Sequence, residues 1–301
     1  MNLPPDFVHT VQSTFEGGGR WLRKLPETLA ACARRWDLTV HPHFDLSYNF
    51  VAPATCRDGS EVVLKIGVPN PELWTEIEAL RVFDGRGITR LIDVAEELGA
   101  FLTERLRPGR PLEKIDNDVQ ATAVAADVMK KLWKTVGEEH PFPTVGEWAS
   151  GLDELRKEFE GETGPFPEKL VDRAERVFDE LLSSQGEKVL LHGDLHHWNV
   201  LSSETEGWLA IDPKGVVGEP AYEVGAWMRN PFPRLLDWPN KGLLLRQRLD
   251  LLSAELGFDR DRLKHWAFAQ AVLAAWWSFE DGEGDWNQWI AMAELMLNID
   301  S

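Results

Sequence analysis

Asn199–Ser202 and Trp208–Asp212 read NVLS and WLAID, two short apolar runs with the polar SETEG of Ser203–Gly207 between them. A run, a polar turn and a second run leave a β-hairpin as the main folded solution. With the pairing centre between residues 205 and 206, Asn199 lies opposite Asp212 at the open end of the ribbon. An amide and a carboxylate are then held side by side. The segment feeding the hairpin, LLHGDLHHWN (Leu190–Asn199), brings Asp194 to the same end, five residues before Asn199. Oxygen donors gathered in this way suit a hard ion such as magnesium, which takes one or two protein carboxylates or carbonyls and completes its shell elsewhere. The competing explanation is a group of polar residues that caps a turn.

His192, His196 and His197 crowd the same segment. A closed zinc shell needs a fourth ligand, and the sequence offers none nearby. The expectation is that His192 supports the loop by hydrogen bonding, while the other two are structural or stand near a substrate. The two cysteines, Cys32 and Cys56, form neither a disulfide framework nor a zinc pattern. They fit a reducing cytoplasm, the expected location. The N-terminus has no basic segment followed by an apolar one, and no apolar run nears the roughly 20 residues that span a bilayer. A net charge of −18 argues against nucleic acid or an anionic membrane as partner and fits a cationic small molecule or simple solubility. No obligate protein partner is evident. Nine of the fourteen tryptophans follow Ser183, so the later part holds most of the large aromatic surface.

The chain changes character part-way. Residues 21–36 read as an amphipathic helix that starts or breaks at Pro26. A strand is expected around Leu38 to Phe44. FVAPATC and EVVLKIG flank an Asp58-Gly59 turn signal, which predicts a hairpin. Glu72–Phe83 has Leu73, Ile77, Leu80 and Phe83 on one helical face. RLIDVAEELGAFLTERL predicts a further hairpin turning near Glu97–Gly99. RPGRP (Arg107–Pro111) is punctuation. Helices are expected from Asp116 or Asn117 to about Val136, over 168–183, 241–256 and 262–279, and from Trp286 to Leu297. The fold class is therefore α+β in two lobes: residues 1–106, a small antiparallel sheet with one internal helix and a leading helix, and residues 107–301, a larger and mainly helical lobe.

Within EVVLKI, Val62, Leu64 and Ile66 share one face, and Val63 and Lys65 share the other. A lysine in an apolar strand needs a partner, and Glu76 on the following helix is the natural one. Glu78, two residues on, lies on a different helical face. A strand lysine paired with a helix glutamate, an aspartate, and an asparagine with a second aspartate make up the working set of a protein kinase.

HGDLHHWN followed by IDPKG resembles the catalytic and metal motifs of the aminoglycoside phosphotransferases, which have a protein-kinase-like fold. LLHGDLHHWNVL…WLAIDPKGVVGEPAYEVGAWMRNP is similar to their streptomycin and hydroxyurea phosphotransferase branch, as is AVLAAWWSFED. The resemblance runs from VVLKIG to WWSFED. It implies an ATP- and magnesium-dependent antibiotic-resistance kinase that phosphorylates a hydroxyl of a streptomycin-type aminoglycoside. Asp194 would be the catalytic base, Asn199 and Asp212 the magnesium ligands, Lys65 the holder of the α- and β-phosphates, and Glu76 its orienting partner. Thr103–Leu106 would be the hinge whose backbone meets adenine, through Glu104 and Leu106. The phosphate-covering turn, Asp45–Phe50, has no glycine, and Ser47 and Asn49 would stand in for one. Trp198 occupies a place where small or polar residues are frequent.

The acceptor is expected to be small, hydroxylated and cationic. Glu280, Asp281, Glu283 and Asp285 cluster beyond Trp276 and Trp277, and carboxylates beside indoles suit a guanidino- or amino-cyclitol. Trp277, Glu280, Asp281, His197, Trp198 and Lys214 are the candidate acceptor contacts, against the alternative of a solvated acidic loop. Two rival functions are a kinase for an amino sugar such as glucosamine and a nucleotide-binding regulatory module without turnover. The intact lysine, base and metal positions count against the second.

Overall fold

A computed structural model describes residues 3–282 and 284–299. Glu283 of the acidic cluster lies outside the described residues. The chain divides into two compact units, residues 1–109 and 110–301.

The first unit runs α1 (Pro5–Thr14), α2 (Gly18–Arg35), β1 (Leu38–Val40), β2 (Phe50–Cys56), β3 (Glu61–Ile66), α3 (Pro71–Phe83), β4 (Leu91–Ala95) and β5 (Ala100–Glu104). Its strands form one antiparallel sheet in the order β1-β2-β3-β5-β4, with β3 at the centre. Val62, Leu64 and Ile66 point into a core shared with Phe7, Val11, Leu25 and Cys32 of α1 and α2. The opposite parity, Val63 and Lys65, serves the other face. In α3, Leu73, Ile77, Leu80 and Phe83 are buried together with Glu76.

Three local expectations change here. The helix does not break at Pro26: α2 starts at Gly18 and passes through the proline. Pro26 is on the exposed side, where water can serve the carbonyl that the missing N–H leaves. A preceding helix, α1, was not foreseen in the sequence. The strand near Leu38–Phe44 ends at Val40, because Pro42 has no N–H to donate. Pairing resumes only as single bonds, such as Phe44 N–H to Val51 O at 3.0 Å.

Pro108–Pro111 forms a short strand, β6, rather than plain punctuation. Then come α4 (Asp118–Leu132), α5 (Val145–Ala149), α6 (Gly151–Glu158), α7 (Glu168–Ser183), β7 (Val189–Leu191), β8 (Val200–Ser203), β9 (Gly207–Ala210), β10 (Val216–Gly218), α8 (Val224–Met228), α9 (Lys241–Leu256), α10 (Arg260–Glu280) and α11 (Trp286–Leu297). Asn117 caps α4 by accepting from Gln120 N–H. The helix stops at Leu132, short of Val136, because Lys134 O accepts instead from Leu190 N–H at 2.8 Å. α10 is the axis of the second unit: Leu263 and every residue from Trp266 to Trp276 is buried, and all of that stretch but Gln270 is apolar, as befits an interior helix. Arg248 of α9 is 1% exposed and ties three elements together. It donates to the Asp118 carboxylate, to Trp227 O at 3.1 Å and to Asn230 O at 2.6 Å.

Candidate active site

In the first unit, strand alternation delivers Lys65 to the face covered by α3. Its Nζ donates to Glu76 Oε1 at 2.6 Å, and the two residues are 6% and 8% exposed. The ammonium also lies 5.9 Å from the Phe101 ring centroid, across the strand pair. Glu78, by contrast, pairs with Arg81 on the surface. Ser47 is exposed on the Asp45–Phe50 turn. Asn49 points its amide oxygen at Gly67, where an added Cβ would come within 2.7 Å of it. Glu104 closes β5: its carboxylate accepts from Arg90 N–H at 2.7 Å, and its carbonyl accepts from Thr89 Oγ1 at 3.3 Å. Leu106 is buried.

In the second unit, β8 and β9 form the expected hairpin, with a register shifted by one residue. Val200 pairs with Ala210 and Ser203 with Gly207, leaving Glu204–Glu206 as a three-residue loop. Asn199 therefore faces Ile211, whose N–H it accepts at 2.9 Å, and not Asp212. The reason lies in the turn. Ser203 Oγ meets Thr205 N–H and Glu206 N–H, and Gly207 takes a φ of +81°, so the loop closes one residue early. Asp212 itself has a φ of +57°, a left-handed backbone seldom adopted by a residue with a side chain. The chain turns at Asp212 instead of continuing the pleat.

The loop before the hairpin is held from beneath. Glu223 accepts from His192 N–H at 2.7 Å and from Gly193 N–H at 2.9 Å. Burial pushes the Glu223 carboxyl up to about 7 despite those two donors. His192 is fully buried. Its Nε2–H donates to Ile211 O at 2.7 Å, so its Nδ1 accepts from Asp194 N–H at 3.2 Å. Burial holds this imidazole down at about 4. A neutral ring thereby links the backbone of Asp194 to that of the residue before Asp212. Gly193, with a φ of +84°, has no room for a side chain: a Cβ would come within 2.8 Å of the Trp148 ring.

Asp194 is 30% exposed at its side chain. Burial alone would raise its carboxyl, but His196, Arg229 and Lys214 outweigh this and hold it below the usual range. Its Oδ1 accepts from Arg229 Nη2 at 3.4 Å, and its Oδ2 is 3.6 Å from His196 Nε2. Its backbone carbonyl accepts from Asn199 Nδ2 at 3.0 Å, which turns the Asn199 amide oxygen away from it. A carboxylate held in this way is fit to accept a hydrogen bond from a hydroxyl and to take its proton.

The remaining acceptor candidates divide. Lys214 and Trp198 are exposed. Trp198 stands edge-on to His196, 5.7 Å between centroids. His197 is not available to a substrate. It is 5% exposed, stacked on Trp227 at 3.7 Å, with Nε2 accepting from Arg248 at 3.2 Å. Burial and then Arg248 hold it down at about 2. Trp276 is likewise interior, edge-on to Phe159 and Phe166. Trp277 is half-buried and meets Trp148 edge-on at 5.6 Å. Glu280 and Asp281 are exposed at the end of α10. Burial and then Asp281, Glu154 and Glu158 push the Glu280 carboxyl up. Asp285 is committed to Ser278 Oγ.

Sequence reading missed Arg229 as a partner of Asp194 and Glu223 as the acceptor beneath its loop. An arginine in the apolar run GAWMRNP was the available signal for the first.

Residues 42–282 match the family described as aminoglycoside/hydroxyurea antibiotic resistance kinase. The chain belongs to that family. It is 30% identical to streptomycin 6-kinase of Streptomyces glaucescens over 94% of this chain and 92% of that one. It is 34% identical to hydroxyurea phosphotransferase of Kitasatospora aureofaciens over 99% and 86%. Among solved structures, choline kinase LicA from Streptococcus pneumoniae aligns with a TM-score of 0.63 at 12% identity, over 92% of this chain and 99% of that one. That likeness shows the protein-kinase-like fold. This antibiotic-resistance kinase is thus an ATP-dependent phosphotransferase. Among its described residues, no helix is long and apolar enough to cross a membrane.

Proposed function

We propose that this kinase transfers the γ-phosphoryl group of ATP to a hydroxyl of a streptomycin-type aminoglycoside in the cytoplasm. The observation that carries the reading is the setting of Asp194: its backbone is braced by His192, its loop by Glu223 and its Oδ1 by Arg229. Its Oδ2 accepts a hydrogen bond from the acceptor hydroxyl, orients that oxygen toward phosphorus and takes the proton late. Lys65, fixed by Glu76, supplies positive charge to the α- and β-phosphates. Ser47 and Asn49 attend the phosphates from the Asp45–Phe50 turn, and the Glu104 and Leu106 backbone meets adenine. Asn199 and Asp212 offer an amide oxygen and a carboxylate, donors that magnesium accepts, and the bound ion supplies charge against the phosphate oxygens. Lys214, Trp198, Trp277, Glu280 and Asp281 form the acceptor side, where carboxylates and indoles favour a cationic cyclitol. The streptomycin 6-kinase relative at 30% identity supports the acceptor class.

The test is a panel of streptomycin, hydroxyurea and glucosamine with ATP and magnesium, read by mass spectrometry for an added phosphate. Phosphorylation of streptomycin is expected. Phosphorylation of glucosamine alone would overturn the acceptor assignment.

A further inference from the structure

Gln270 is an anomaly in α10. It is 4% exposed and sits among apolar neighbours from Trp266 to Trp276. A buried amide is costly unless both its ends are bonded. Here both are. Its Nε2 donates to Tyr222 O at 2.5 Å, which fixes the amide orientation, and its Oε1 accepts from Arg229 Nη1 at 2.7 Å. The other terminal nitrogen of Arg229 reaches Asp194 Oδ1 at 3.4 Å. The guanidinium also lies 5.9 Å from the ring centroid of Trp289 on α11.

We propose that Gln270 is a positioning residue, acting through Arg229 to decide which oxygen of Asp194 faces the acceptor hydroxyl. This rests on Asp194 being the base. A carboxylate can turn about its last torsion, and each orientation offers a different oxygen. Arg229 holds Oδ1, and Oδ2, which among the described residues has only His196 Nε2 at 3.6 Å beside it, is the oxygen turned to the reaction. The 3.4 Å contact is long for a charged pair, so its geometry depends on what holds the arginine. Gln270 is that hold, and Trp289 flanks it.

Gly225 supplies an independent observation. A Cβ on Gly225 would come within 2.3 Å of Gln270 Cδ and Oε1. Gly225 is in ordinary helical backbone and is not among the residues of positive φ, so its conformation does not explain the glycine. The missing side chain is the space that Gln270 occupies.

The test measures kcat, both KM values and Tm in Gln270→Met, which keeps length and removes both bonds, and in Gly225→Ala, which crowds the amide without touching its chemistry. A fall in kcat of about tenfold is expected in each, on the scale of a misplaced reacting group. KM for nucleotide and acceptor should stay within about twofold. Arg229→Ala should regain part of its kcat in millimolar guanidinium chloride, and Arg229→Ala combined with Gln270→Met should regain none. Wild-type kcat in folded Gln270→Met, or equal rescue of the single and double variants, would overturn the inference. Asp194→Ala is run alongside. If it retains turnover, the assignment of the base fails. If it is dead while Gln270→Met is normal, only the positioning role fails.

Discussion

The two units carry charge in different ways. In the first, Lys65 and Glu76 form one close pair, presented by a regular strand and a regular helix. In the second, Asp194 sits on an irregular loop, and its position is shared among His192, Glu223, Arg229 and Asn199. A regular element can present a side chain by periodicity alone. A loop has no periodicity, so its backbone donors must be fixed one by one by buried polar groups. The lesson is one of presentation: a buried pair set by strand and helix period should lose most when either member is changed, whereas a loop held by several groups should lose strength in steps.

The sharpest way to break this contrast is at Asp194, the proposed base, whose chemistry nothing in the web would replace. Asp194→Ala should lower kcat by about 10³-fold or more, with Tm little changed. Next is the pair. Lys65→Ala leaves the Glu76 carboxylate buried, and should cost about 3–5 kcal/mol in denaturant unfolding as well as about 10²-fold in rate. Glu223→Gln keeps one acceptor of two. It should cost about 1–2 kcal/mol and about tenfold in kcat, and an effect as large as that of Lys65→Ala would erase the distinction.

Acid provides a gentler probe, because titration weakens the web without mutation. His192 and His197 stay neutral in the fold, at about 4 and about 2, whereas an unfolded histidine takes up its proton near pH 6.5. The unfolded chain then binds more protons, and stability falls as pH drops below about 6.5. Glu223 works in the opposite sense: raised to about 7, it loses stability as pH rises from about 4.5 toward 7. Two histidines outweigh one glutamate, so Tm should decline from pH 7 to pH 5. Glu223→Gln should steepen that decline.

Much of the first unit was legible because strand parity and helical period say which side chains meet. Lys65 and Glu76 follow from EVVLKI and from the buried face of α3. The second unit was legible as residues and less so as contacts. HGDLHHWN and IDPKG identify the loop. Its supports come from Glu223, Arg229 and Gln270, 29, 35 and 76 residues after Asp194, and no local pattern links them to it. The hairpin register went astray by one because a three-residue loop and a longer one draw on the same polar residues. The sequence leaves His197 either structural or an acceptor contact, because the burial against Trp227 and Arg248 that decides for the first is purely tertiary.

The left-handed turn at Asp212 sets durability against performance. A side chain there costs about 1–2 kcal/mol that glycine would avoid. Asp212→Gly should therefore unfold at a higher temperature while transferring phosphate far more slowly. Asp37, Asp84 and Glu160 share that left-handed backbone, but of the four only Asp212 is a proposed magnesium ligand, so selection for heat resistance alone would erode activity from that point.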